Sequence, residues 1–159
     1  MTEYLPITRK YIGTEHYFFF LGNTDPKKNT ARTLQAYCHY LNASSHPLPL
    51  LIADLKEETI NNYLREYGLT DIKSMLYYPG YIPNKDLPAL YSGATAFIYT
   101  SLRESFGIPI LEAMACGTPV ITSQTSAMPE IAGKDAILVN PYKPEEIAGA
   151  MLRLEEDSE

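Results

Sequence analysis

The chain reads as a doubly wound α/β domain, with a parallel sheet of about six strands and helices on both faces, and three observations predict it. Short apolar runs rich in aromatic and β-branched residues alternate with segments of helical periodicity along most of the chain. Several of those runs are apolar at successive positions, which suits strands covered on both faces. Between them apolar residues recur three or four positions apart, and such stripes need a sheet to cover.

The strands are expected at residues 16–21, 49–53, 75–78, 95–99, 119–122 and 136–139. Ala31, Leu34, Cys38 and Leu41 make one helical stripe, Ile60, Leu64 and Tyr67 a second, and Ile147, Met151 and Leu154 a third in the last helix. Residues 1–15 read as a polar lead-in from a preceding domain or linker, and residues 16–159 as one domain, an excised fragment of a longer protein. In open α/β sheets ligands bind beyond the carboxyl ends of the strands, so the loops after Leu21, Tyr78, Tyr99 and Thr122 are where a site is expected.

Composition narrows the classes. A chain of 159 residues fits one domain, and at that size roughly 70% of the surface of the unfolded form is buried on folding. The apolar fraction of 45% and charged fraction of 20% are ordinary for a globular domain, and no run approaches a membrane span. No signal-peptide pattern opens the sequence and Cys38 and Cys116 form no CxxC pair, so a reducing cytoplasm is expected. A net charge of −6 argues against nucleic acid as a partner, and no polybasic patch supports membrane contact, which is expected only through a missing domain, at the inner face of the membrane. Lys27 and Lys28 form a local basic pair that can still serve one small anion.

The segment after the fourth strand carries the most chemistry. Pro109 suits the first turn of a helix and Gly117 the position just past its end. Between Ile108 and Cys116 the one charged side chain is Glu112, and the rest is apolar all round, as expected of a helix buried on several sides. A buried carboxylate needs partners, and a ribose diol offers them. The free N–H groups at the helix start, with Gly107 allowing close backbone approach, make a cradle for a diphosphate, and Glu104 sits across it. On the residues alone a second reading stays open: Glu112 reaches solvent or pairs with Arg103, and Gly107 is a turn residue.

Gly22-Asn23-Thr24-Asp25-Pro26-Lys27-Lys28-Asn29 joins the first strand to the first helix, where Asp25 can cap and Pro26 can open it. Cations in that first turn oppose the helix dipole by about 0.3–1 kcal/mol each, which is easier to explain with an anion opposite. The alternative is a solvated rim with Asp25 offsetting the charge.

Tyr91-Ser92-Gly93-Ala94-Thr95-Ala96-Phe97 and the run from Glu104-Ser105-Phe106-Gly107-Ile108-Pro109 through Glu112-Ala113-Met114-Ala115-Cys116-Gly117-Thr118-Pro119 resemble the donor-binding domain of glycosyltransferase family 4, with its E-x7-E motif. The match continues through Ser126-Ala127-Met128-Pro129-Glu130-Ile131 and Asn140-Pro141, and reaches back to residues 17–40. The resemblance implies one Rossmann-like half of a GT-B enzyme that moves a hexose from a nucleoside-diphosphate sugar with retained anomeric configuration, without a metal or other cofactor. The absence of a DxD pair and of any ligand spacing among His16, His39 and His46 agrees with the last point.

By the match, Lys28 and Glu104 are the catalytic residues. Gly22, Asn23, Lys27, Ser105, Phe106, Gly107, Ile108 and Glu112 complete the donor site, with Glu112 on the ribose and the backbone of residues 106–108 on the diphosphate. The base belongs at Gly80-Tyr81-Ile82, through backbone contacts and an apolar wall. Residues 22–29 are similar to the G-T-x-E-P-R-K-N form of members that build surface polysaccharides, often with mannose. Many members carry an arginine where Asn23 stands, and Lys27, Arg103 or a residue outside the chain is left to supply that charge. Glu130 reads as a cap or scaffold group.

The implied partners are a GDP- or UDP-linked sugar, a glycan or lipid-linked acceptor, and a missing amino-terminal domain that holds it, so the fragment by itself is expected to be inactive. A non-catalytic nucleotide-sugar-binding module is the alternative. A signalling domain phosphorylated at Asp54 is disfavoured, because Phe18-Phe19-Phe20-Leu21-Gly22-Asn23 offers no Mg²⁺ site. No GxSxG, P-loop or GxGxxG segment supports a hydrolase, P-loop NTPase or NAD enzyme.

Overall fold

A computed structural model describes residues 5–157. Six strands, β1 Phe18–Leu21, β2 Leu50–Ala53, β3 Leu76–Gly80, β4 Ala96–Tyr99, β5 Val120–Ser123 and β6 Ala136–Val139, form one sheet in the order β3-β2-β1-β4-β5-β6. Every adjacent pair is parallel. The chain builds outward from β1 to β3, then crosses back to lay β4 beside β1, pairing Phe18 with Ala96 and Phe20 with Ile98. That reversal is the topological switch point, where crevices open at the carboxyl ends of such sheets.

Among the described residues seven helices flank these strands: α1 Leu5–Thr8, α2 Thr30–Ala43, α3 Glu57–Glu66, α4 Leu87–Gly93, α5 Ile108–Ala115, α6 Met128–Ala132 and α7 Pro144–Asp157. The successive apolar residues of the strands feed two separate cores, as strands covered on both faces must. Phe18, Phe20, Ile52 and Ile98 point into one with Tyr37, Tyr40, Ile60 and Ile147, from α2, α3 and α7. Phe19, Leu51, Phe97 and Val120 point into the other with Leu90, Ile110 and Met128, from α4, α5 and α6. The expected fold class is therefore the observed one.

Three local expectations change. In α2 the buried stripe is Thr33, Leu34, Ala36, Tyr37 and Tyr40, whereas Ala31, Cys38 and Leu41 are half-buried. The tyrosines can take the core because their hydroxyls find acceptors: Tyr37 donates to the Leu48 carbonyl at 2.8 Å, and Tyr40 donates to the buried Glu155 carboxylate of α7. Tyr67 caps α3 rather than continuing its stripe and stays exposed. The lead-in is not merely polar over its described part, residues 5–15. Ile12 is buried in the second core, α1 packs on α4, and the Tyr11 hydroxyl donates to Asp86 at the start of α4.

Candidate functional site

The loops that follow β1 and β4 meet at the switch point. Pro26–Lys28 form a 3-10 turn, in which Asp25 Oδ1 accepts from the Lys27 N–H at 3.1 Å. Asn29 then takes a left-handed conformation, φ 64°, and α2 begins only at Thr30. The lysines thus precede α2 instead of occupying its first turn, which corrects the dipole argument drawn from the sequence. What aims Lys28 is the fixed path of the loop. The Leu102 N–H donates to the Lys27 carbonyl at 2.7 Å, and Asn29 Nδ2 donates to the carbonyls of Thr100 at 2.9 Å and Pro141 at 2.8 Å.

The loop after β4 is held just as closely. Ser123 Oγ donates to the Ser101 carbonyl at 2.5 Å, Thr125 Oγ1 to that of Leu102 at 3.1 Å, and the Thr33 and Thr100 hydroxyls lie 2.9 Å apart. Ser126, at φ 58°, grips the backbone of Glu104 twice: its Oγ accepts from the Glu104 N–H at 3.2 Å and donates to the Glu104 carbonyl at 3.1 Å. Most of these partners are small hydroxyl residues with no motif around them, and sequence reasoning missed them. The signal available was the density of Ser and Thr after β4 and β5, where buried loop carbonyls need donors.

On this scaffold Lys28 Nζ lies 2.7 Å from Glu104 Oε2, and the Tyr99 hydroxyl donates to Glu104 Oε1 at 2.8 Å. The pair is largely buried, with the Lys28 and Glu104 side chains 23% and 12% exposed. A cavity of about 370 Å³ opens beside it, lined by Lys27, Lys28, Glu104, Ser105 and the start of α5 from Gly107 to Pro109. Gly107 sits at φ 57°, and an added Cβ would stand 2.9 Å from Ile131 Cδ1, so both conformation and space favour glycine. A second cavity of about 240 Å³ lies across Glu104, lined by Lys27, Arg103, Ser105 and Ser126. Lys27 therefore faces both cavities, whereas Arg103 lines only the second.

Other expected site residues stand apart. An added Cβ on the buried Gly22 would come within 2.4 Å of Leu55 Cγ and 2.9 Å of the Ala53 carbonyl oxygen, which explains that glycine by packing. The exposed Asn23 shapes the turn, its Oδ1 accepting from the Asp25 N–H at 2.8 Å. Ile82 is buried in the second core while Tyr81 is 74% exposed, and neither lines the two cavities. Gly80 ends β3 rather than lying in a loop.

Helix α5 is not buried on several sides, and Glu112 is exposed. Only Ile110 and Ala113 of α5 are buried, because the helix covers the second core with one face; on the other Ile108 and Leu111 are exposed, and Ile108 lines the larger cavity whereas Leu111 and Glu112 line neither. Glu112 shares that open face, one turn beyond Ile108. Phe106, 75% exposed, lines the larger cavity. Glu130, in the first turn of α6, is exposed and lines neither cavity.

Two further polar groups, Asp54 and Tyr91, lie close enough to interact with each other. Asp54 follows β2 at φ 68° and is exposed as a residue, and partial desolvation raises its carboxyl above the usual range against a backbone hydrogen bond from Ile82. Tyr91, almost wholly buried, has a hydroxyl with no hydrogen-bond partner among the described residues, and burial, then the nearby Glu112, drives its ionisation far upward. Among the described residues no three His, Cys, Asp or Glu side chains converge to hold a metal ion, and no helix is long and apolar enough to cross a membrane.

A parallel α/β domain with a lysine, a carboxylate and a helix start converging at its switch point belongs to the doubly wound class whose crevice opens at the carboxyl ends of the strands. Comparison with known proteins carries the assignment further: the profile described as Glycosyl transferases group 1 matches residues 9–159, and the chain belongs to that family. It is 35% identical over 160 residues to O-antigen chain mannosyltransferase B of Escherichia coli, an alignment covering 98% of this chain and 42% of that protein. It is 31% identical over 146 residues to the serotype-specific mannosyltransferase WbdA of Escherichia coli, covering 89% of this chain and 18% of that protein. The chain thus spans less than half the length of these relatives.

Among solved structures, sucrose-phosphate synthase from Thermosynechococcus elongatus superposes with a TM-score of 0.79 at 24% identity, over 99% of this chain and 40% of that one. HepE from Anabaena, in complex with UDP and glucose, does so with a TM-score of 0.74 at 20% identity, over 99% of this chain and 42% of that one. These two likenesses establish the shared fold.

Proposed function

We propose that the chain is the nucleotide-sugar donor-binding domain of a retaining glycosyltransferase, one that moves a hexose, mannose by analogy with its relatives, to a glycan or lipid-linked acceptor. One observation carries the reading: Lys28 and Glu104, 76 positions apart, are brought into one cavity with the start of α5. In this reading the diphosphate of a GDP- or UDP-linked sugar lies between Lys28 and the N–H groups after Gly107, with Lys27 as the second cation because it faces that cavity and Arg103 does not. The exposed Glu112 takes the ribose hydroxyls, and the base rests against the backbone at Tyr81 and Ile82.

Chemically, the bond from the anomeric carbon to the leaving phosphate oxygen breaks while the acceptor oxygen bonds to that carbon on the same face. Negative charge grows on the diphosphate, where the Lys28 ammonium and the backbone N–H groups are already oriented, with no metal ion required. Glu104 orients the sugar, and the leaving phosphate takes the proton of the acceptor hydroxyl. The acceptor is held by a domain outside these residues, against the open apolar face of Phe106, Ile108 and Leu111. A cytoplasmic location fits Cys38 and Cys116, which are both free thiols.

Calorimetry of the chain with GDP, UDP, ADP, GDP-mannose and UDP-glucose tests the reading. One nucleoside diphosphate should bind measurably, with an affinity that falls as salt rises. Absence of binding by all five ligands refutes the donor site, and robust sugar transfer by this chain alone refutes its assignment as a donor half.

A further inference from the structure

Tyr99 is built into the middle of the donor site. It closes β4 with its side chain only 6% exposed, at the floor of the cavity beside Lys28 and the start of α5. Its hydroxyl donates to one carboxylate oxygen of Glu104, Lys28 holds the other, and the Lys28 ammonium stands 5.7 Å from the Tyr99 ring centroid. Ser126 fixes the Glu104 backbone but touches neither carboxylate oxygen. The orientation of the Glu104 side chain therefore depends on Lys28 and Tyr99.

These two supports differ in permanence. A diphosphate in the cavity carries more negative charge than one carboxylate and competes with Glu104 for the Lys28 ammonium. A carboxylate losing its cation at 12% exposure must keep a donor or turn toward water. The Tyr99 hydroxyl is a donor that no anion takes away. Burial, with the hydrogen bond to Glu104 adding to it, holds its ionisation far above the ordinary tyrosine value, so it stays protonated at every working pH.

We propose that Tyr99 is the positioning residue for Glu104, keeping that carboxylate aimed at the donor sugar while Lys28 is drawn to the diphosphate. The inference rests on the nucleotide-sugar reading above. Glu104 is then freed for a sugar hydroxyl by the arrival of the phosphate, and Tyr99 sets the direction it faces.

The test compares affinities for a nucleotide and for its sugar conjugate, GDP with GDP-mannose and UDP with UDP-glucose, by calorimetry on the unsubstituted chain, Tyr99→Phe, Glu104→Ala and the double variant. The unsubstituted chain should favour the conjugate, and Tyr99→Phe should shrink that preference about three- to tenfold, as expected for the net contribution of one hydrogen bond acting through Glu104. In the Glu104→Ala background the same substitution should change the preference no further. Equal losses of both affinities in Tyr99→Phe, or the same further loss in the double variant, would make Tyr99 a packing residue and overturn the inference.

A second measurement needs no substitution. In proton NMR of the chain saturated with pyrophosphate, the Tyr99 hydroxyl proton should remain protected from exchange with water, and loss of that protection overturns the inference. If the unsubstituted chain binds neither nucleotide nor conjugate, the nucleotide-sugar reading falls and this inference with it. Binding with an unaltered preference in Tyr99→Phe overturns the role of Tyr99 alone.

Discussion

Asn29 and Thr100, 71 positions apart, are joined by a hydrogen bond from the Asn29 side-chain amide to the Thr100 carbonyl at 2.9 Å. The same amide nitrogen donates to Pro141 at 2.8 Å, so one buried side chain ties together the loops after β1, β4 and β6. Asn29 also sits at φ 64°, a conformation asparagine tolerates better than most residues. Asn29→Ala loses both bonds, together with the one its Oδ1 accepts from Arg32 Nη1 at 3.2 Å, and gains backbone strain, for an expected cost of about 2–4 kcal/mol. Asn29→Gly relieves the strain alone and should cost less, while Asn29→Asp, which sets a carboxylate against two carbonyls, should cost most. Urea unfolding of the three variants checks that order, and a stable Asn29→Asp variant would contradict it.

Gly107→Ala places a methyl group at φ 57°, 2.9 Å from Ile131 Cδ1 and 3.3 Å from Ile110 Cδ1. The left-handed conformation alone costs about 1–2 kcal/mol, and Ile131 must move as well. Thermal unfolding should show a lower midpoint, and calorimetry a weaker nucleotide affinity, because the α5 N–H groups are displaced. An unchanged midpoint would mean that the loop has slack that the geometry does not show.

Lys28→Ala and Glu112→Ala should separate stability from binding. Removing Lys28 leaves the largely buried Glu104 with the Tyr99 hydroxyl as its remaining side-chain donor and should cost about 1–3 kcal/mol. It should also flatten the salt dependence of nucleotide binding. Glu112 is exposed, so Glu112→Ala should leave the unfolding midpoint close to unchanged while weakening nucleotide binding roughly tenfold, the loss of one hydrogen-bonded charged group. A destabilised Glu112→Ala would return that residue to the structural role its exposure argues against.

Alkaline titration should report the attachment of the amino-terminal segment. The hydrogen bond to Asp86, with burial and the Asp86 charge adding, pushes the Tyr11 hydroxyl up to about 12 from an ordinary 10.0. A group whose folded value is raised stays protonated longer in the folded state, so its contribution is complete below pH 10 and is lost as pH rises toward about 12. Denaturation midpoints measured from pH 9 upward should fall over that interval, and Tyr11→Phe should lessen the fall. An identical profile in both proteins would place the alkaline transition elsewhere.

The sheet was legible because its signal is repeated: the successive phenylalanines at 18, 19 and 20 could be buried together only in a strand covered on both faces. Helix α2 was harder, since its core stripe uses tyrosines whose acceptors lie far along the chain at Leu48 and Glu155. The convergence of Lys28, Glu104 and the α5 start followed from their places at strand ends. The exposure of Glu112 did not, because α5 is apolar on its exposed face as well as on the face toward the sheet. Tyr99, Asn29 and Ser126 were invisible, because what they do depends on partners at long sequence separation or on a left-handed turn.

The sheet order also bears on how the molecule assembles. The strands fall into two sets of sequence neighbours, β1 to β3 and β4 to β6, and the one lateral contact between the sets is the seam of β1 with β4. Each set can zip up through local crossovers, but the seam requires a closure of the chain across 78 positions, from Phe18 to Ala96, with the Lys28–Glu104 pair in the loops just beyond it. That ion pair should therefore be among the last contacts to form during refolding and among the first to part under denaturant, making it a natural place to put a spectroscopic probe of docking between the two half-sheets.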